Sequence, residues 1–121
     1  MKHRVVIALG SNYLPVAHIE WASGFLASLI ENCQFSRRLW TQDIKGSGVW
    51  YQNRIAYGFT DIPVNQLQTQ LKEIEIESGR TKERITIDLD LMLYDHQRFH
   101  EKDWQRPYFT VLFDELPQIA E

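Results

Sequence analysis

Ile85-Thr86-Ile87-Asp88-Leu89-Asp90-Leu91-Met92-Leu93-Tyr94 alternates with period two, as a half-buried β-strand does. Ile87, Leu89, Leu91 and Leu93 point to one face, and Thr86, Asp88, Asp90 and Met92 to the other. Asp88 and Asp90 therefore emerge side by side, about 7 Å apart at their backbones. Aspartate is disfavoured in strands, so two of them in a strongly apolar run need a compensating reason. Adjacent carboxylates repel and raise one another's pKa values unless a cation intervenes. A hard divalent ion such as Mg²⁺ relieves that repulsion, binding one or two carboxylates and completing its shell with water and phosphate oxygens. A solvated polar face is the plainer alternative, since alternating strands often present acids outward.

Immediately upstream, Gly79-Arg80-Thr81-Lys82-Glu83-Arg84 sets three cations ahead of the acids. Such groups suit phosphate oxygens that a metal bridges. They equally suit the C-terminal end of a helix, where the dipole favours positive charge. That helix is predicted over Val64–Ser78, with Leu67, Leu71, Ile74 and Ile76 largely on one side. Asp61 or Pro63 opens it and Gly79 caps it in a left-handed conformation. Further upstream, Gln34–Thr41 and Val49–Thr60 read as extended segments joined through Gly46-Ser47-Gly48; the second alternates around Tyr51, Asn53, Ile55 and Tyr57. From Pro15 to about Glu31, Val16, Ile19, Ala22, Leu26, Leu29 and Ile30 recur at helical spacing, with Asn32 as the stop. Arg4–Leu9 is a β-branched run closed by a turn cluster, Gly10-Ser11-Asn12. Beyond Tyr94 the chain reads as an irregular, aromatic-rich tail anchored by Trp104, Tyr108, Phe109 and Phe113. This order of elements predicts a ferredoxin-like α+β sandwich, an antiparallel sheet with helices packed on one face and the other free for a ligand.

The 121 residues have the size of one domain, read as a single unit over 1–121. With 44% hydrophobic and 24% charged residues, wholesale disorder is excluded. A net charge of −3 argues against a nucleic-acid partner. One cysteine, Cys33, excludes an internal disulfide and a multi-cysteine metal cluster. Val5–Leu9, the longest apolar stretch near the N-terminus, is too short to span a bilayer or form a signal-peptide core. The expectation is a cytoplasmic monomer without a membrane partner.

Four blocks then occur in order: Ala8-Leu9-Gly10-Ser11-Asn12; Tyr51-Gln52-Asn53; Ile74-Glu75 followed by Gly79-Arg80; and Asp88-Leu89-Asp90-Leu91-Met92-Leu93. Together they resemble 6-hydroxymethyl-7,8-dihydropterin pyrophosphokinase over about Val5 to Tyr94. The resemblance implies transfer of pyrophosphate from ATP, the co-substrate, to the hydroxymethyl group of a reduced pterin in folate biosynthesis. It implies two Mg²⁺ ions on Asp88 and Asp90, with Arg80 beside them as a catalytic group. Thr41, Ile44, Tyr51 and Asn53 fall at the pterin pocket, and Glu75, Arg80, Lys82 and Arg84 at the nucleotide. Asn offers a donor and an acceptor to a pterin's amide-like edge, and an aromatic ring stacks on its plane.

Departures from the family pattern accompany the match. The segment between Gly79 and Asp88 is several residues shorter, and Arg84-Ile85-Thr86-Ile87 replaces a Trp and a Pro-Arg-Thr approach. Thr41-Gln42-Asp43 replaces Thr-Pro-Pro. Pro107-Tyr108-Phe109 replaces Pro-His-Tyr, without the arginine that follows it. His3, His18, His96 and His100 are read as bystanders. Two other functions stay open at this point. One is a pterin- or nucleotide-binding homologue with weak or no transfer; the other is an interaction module using Trp40, Trp50 or Tyr51 on an open sheet face.

Overall fold

Val5, Val6, Ile7 and Leu9 lie on both faces of one strand and are all buried, so both faces of the sheet are covered there. This strand, β1 (His3–Ser11), is central in the computed structural model, which describes residues 1–43 and 45–116. The chain continues through α1 (Pro15–Leu29), β2 (Glu31–Phe35), β3 (Leu39–Gln42), β4 (Trp50–Thr60), α2 (Val64–Glu77), β5 (Asp88–Tyr94) and β6 (Gln97–Arg98). A 3₁₀ turn (Glu101–Gln105) and α3 (Pro107–Asp114) complete the described elements. The sheet is antiparallel, in the order β2-β4-β1-β5-β6, and β3 continues along the same side of β4 as β2. Within it, β5-β1-β4-β2 is the ferredoxin-like arrangement.

The two long helices cover one face. Ile19, Ala22 and Leu26 of α1 and Leu67, Leu71 and Ile74 of α2 pack on Val5, Ile7, Leu9, Ala56, Leu89 and Leu91. At roughly 1.5–3 kcal/mol per fully buried aliphatic side chain, this layer dominates the stability. On the other face, Val6, Ala8, Ile55, Tyr57, Met92 and Leu93 meet Phe109 and Leu112 of α3.

Several boundaries differ from the sequence expectation. Helix α1 ends at Leu29, and Ile30 is already extended (φ −114°, ψ 125°). Asn32, expected as the helix stop, instead sits at φ 53° in an irregularity of β2 between Glu31 and Gln34. The extended stretch after it is interrupted between Phe35 and Leu39. Gly10 and Ser11, expected in a turn, are the last residues of β1. Ile76 lies 72% exposed rather than with the apolar side of α2. Strand β5 begins at Asp88, so Ile85–Ile87 lie outside it. Between Leu91 and Leu93 the register on β1 shifts by one residue, which turns Leu93 to the α3 face beside Met92. The region after Tyr94 is regular for much of its length, holding β6, the 3₁₀ turn and α3.

Candidate active site

Small residues on the central strand create the space. Ala8 pairs with Asp90 on one side and Ile55 on the other, and Gly10 pairs with Asp88 and Asn53. The acids and Asn53 therefore rise on the α3 face from strands flanking β1, with only a hydrogen and a methyl between them. A Cβ on Gly10 would stand 3.4 Å from Asn53 Oδ1, so the glycine keeps this floor open. The result is a cavity of about 250 Å³ floored by Ala8 and Gly10. Asp88 and Asp90 form one wall, and Thr41, Tyr51 and Asn53 the opposite one. Asn53 Nδ2 donates to Thr41 Oγ1 at 2.6 Å, fixing the orientation of the amide. Burial raises the Tyr51 phenol above its ordinary value, and hydrogen bonding to Asn12 opposes that shift.

A second cavity, about 290 Å³, runs along the open edge of β5 beneath α2. Gln68, Lys72 and Glu75 of α2 line it together with Arg80 and His100. Asp88 and Asp90 line this cavity as well, and so form a wall common to both. Glu75 fastens helix to strand: its Oε2 accepts the Leu89 N–H at 2.7 Å, satisfying an edge donor that lies between the two acids. Arg80 Nη1 donates to the same Glu75 oxygen at 3.2 Å and to Asp88 Oδ1 at 3.0 Å. Burial pushes Glu75 above the usual carboxylate range, while the Leu89 N–H and the Arg80 charge hold it down.

Asp90 is the most perturbed acid. Burial, then the charge of Asp88, pushes it up to about 7, and His100 opposes this with Nε2 3.7 Å from Oδ1. A buried acid in this state beside a second carboxylate is poorly stabilised without a metal cation, and a hexacoordinate ion content with one or two carboxylates fits the pair. Among the described residues no group of three or more His, Cys, Asp or Glu is gathered to hold a metal. The donor set thus suits an ion that takes its other ligands from water and phosphate.

Of the residues singled out from sequence, the structure brings together Thr41, Tyr51 and Asn53 in one cavity and Glu75 and Arg80 in the other. Lys82 and Arg84 line neither; the Arg84 guanidinium lies 4.6 Å over the ring of Tyr13. Ile44 lies outside the described residues. Four groups from the C-terminal region were not anticipated. His100, expected to be a bystander, faces Asp90. Asp103, Arg106 and Tyr108 line the first cavity, Arg106 Nε donating to Asp103 Oδ1 at 2.5 Å. An arginine thus occupies the site from a part of the chain where none was expected. Gln68 and Lys72 had a legible signal, since with Glu75 they form a polar stripe at i, i+4 and i+7 beside the apolar one.

A model of the family described as 7,8-dihydro-6-hydroxymethylpterin-pyrophosphokinase matches residues 6–118. The chain belongs to this family. No curated protein matches it. As a pterin pyrophosphokinase it is a diphosphotransferase of folate biosynthesis, acting on small molecules. The match reaches well past Tyr94, where the resemblance legible in the sequence stops, and takes in the 3₁₀ turn and α3. Among the described residues no helix is long and apolar enough to cross a membrane.

Proposed function

We propose that this pyrophosphokinase binds ATP in the cavity under α2 and the reduced pterin in the cavity under α3, and transfers pyrophosphate past the acids between them. The carrying observation is that Asp88 and Asp90 belong to both cavities. A group passing from one ligand to the other must cross that wall. Bringing two reactants together in this way removes much of the entropic cost of a bimolecular step.

Asp88 and Asp90 would hold Mg²⁺, two ions by family resemblance. When bound, the metal neutralises phosphate charge and polarises the transferred group. Arg80 lies beside Asp88 as a ready phosphate ligand, and Arg106 approaches from the pterin side. Thr41 and Asn53 present hydrogen-bonding groups to the pterin edge, while Tyr51 and Tyr108 offer aromatic walls to its ring. Gln68, Lys72, Glu75 and His100 face the nucleotide. The pterin hydroxyl attacks the β-phosphorus, the bond to the bridging oxygen of the α-phosphate breaks, and AMP leaves. The hydroxyl proton passes to solvent, for which no dedicated base is required.

The test is AMP formation from ATP and 6-hydroxymethyl-7,8-dihydropterin by purified protein. Activity that requires Mg²⁺ and is abolished by Asp88→Asn or Asp90→Asn is expected; activity retained in both variants would overturn the assignment.

A further inference from the structure

Segment 79–87 joins α2 to β5 and places Arg80 beside the acids, and it is fastened along its length. Gly79, at φ +83°, closes the helix, and Ser78 Oγ meets Thr86 Oγ1 at 2.6 Å. Inside the segment, Thr81 N–H donates to the Arg84 carbonyl at 3.0 Å and Arg84 N–H to Thr81 Oγ1 at 3.1 Å. Two further contacts come from the connection between β1 and α1. Asn12 N–H donates to the Ile85 carbonyl at 2.9 Å, and Ile85 N–H returns a bond to Asn12 Oδ1 at 2.8 Å. Next to them the Arg84 guanidinium covers the Tyr13 ring, whose carbonyl in turn faces His18 Nδ1 at 2.7 Å.

We infer that Asn12 and Tyr13 are positioning residues that staple segment 79–87, so that Arg80 stands at the phosphate site before the nucleotide arrives. The inference rests on the proposed role of Arg80 as a phosphate ligand. A segment held at both its base and its tip loses little freedom on ligand binding, which lowers the ordering cost of association. Arg84 serves this site through the staple, by its grip on Tyr13. Segment 79–87 is then a fixed support for Arg80, held through Asn12 and Tyr13.

Amide hydrogen exchange of the ligand-free protein, combined with steady-state kinetics, tests this in Tyr13→Leu, Tyr13→Phe and Asn12→Ala. Tyr13→Leu removes the π-face and is expected to speed exchange at Arg84 and Ile85 about 3- to 10-fold. It should raise KM for ATP by a similar factor and leave kcat within about twofold. Tyr13→Phe keeps the ring and should match the parent in all three readouts. Asn12→Ala, which strips the Ile85 N–H of its acceptor, should shift exchange and KM by about tenfold or more. Unchanged exchange in Tyr13→Leu, or equal damage in Tyr13→Phe, would overturn the staple. Faster exchange with an unmoved KM, or a fall in kcat alone, would overturn the preset Arg80. Protected amides in a parent protein that binds no ATP would instead sink the assignment of Arg80 to phosphate and leave the staple standing.

Discussion

Asp90 sets the pH behaviour of the site. An unfolded aspartate titrates near 4, whereas burial and Asp88 push this one up to about 7. Ionising Asp90 in the folded, metal-free protein therefore costs stability. The cost is absent below pH ~4, where both states are protonated, and complete above pH ~7. In EDTA, the Tm of the parent relative to Asp90→Asn should fall between pH 4 and 7 and then level off. A relative Tm that rises over that window would contradict the burial argument. The same protonation competes with a cation. Asp90 is mostly protonated at pH ~6 and mostly ionised at pH ~8, so Mg²⁺ together with a non-hydrolysable ATP analogue should bind about tenfold more weakly at the lower pH. Isothermal titration at the two pH values measures this directly. Asp88→Asn should lower turnover at least about a hundredfold, as expected when charge stabilisation at a reacting phosphate is lost.

At the scale of elements, β1 sets the depth of the cavity proposed for the pterin. Gly10 lies between Asp88 and Asn53, and its backbone is ordinary extended strand, so a larger side chain is tolerated by the fold but not by the cavity. Gly10→Val should raise KM for the pterin about tenfold or more while its Tm stays within a few degrees of the parent. Comparing pterin and ATP dependence in that variant checks it, because the cavity proposed for the nucleotide does not include Gly10. Gly10 also shows what sequence makes visible. The alternation of Asp88 and Asp90 with Leu89 and Leu91 survives folding unchanged, because a period-two pattern belongs to the strand itself. Both long helices and the left-handed Gly79 are legible for similar local reasons. Gly10-Ser11-Asn12, however, carries a turn signal in which Gly and Ser are indistinguishable from residues chosen for their smallness. The reversal of Leu93 depends on a register shift against β1, and no local pattern encodes a partner strand. The start of β5 is likewise set by Asn12, which takes both backbone groups of Ile85 away from the ladder.

For the whole molecule, the sandwich gains a third layer where α3 closes the face opposite the long helices. Phe109 and Leu112 are fully buried, Trp104 packs edge-on to Phe109 and Phe113, and Arg37 holds Glu115 through two hydrogen bonds. The same layer delivers His100, Arg106 and Tyr108 to the acids. Their place at the cavities was hidden in the sequence because it depends on contacts with strands far upstream, while the local cue was only a cluster of aromatics. Stability and ligand binding should therefore be weighted differently at neighbouring positions of one stretch of chain. Tyr108→Leu changes a ring that lines the cavity and also packs on the edge of the α3 layer. It should raise KM for the pterin about 2- to 10-fold, at a smaller cost in urea stability than loss of the ring beside it. Phe109→Ala, one residue on, empties the centre of the layer and should cost about 3–5 kcal/mol. It should weaken pterin and nucleotide together, since groups lining both proposed cavities rest on that layer. Saturating ATP analogue and pterin should then raise the Tm of Phe109→Ala, because ligands that bind only the folded form offset part of the lost packing. Equal effects of the two substitutions on urea stability would show that Tyr108 belongs to the packing rather than to the pterin wall.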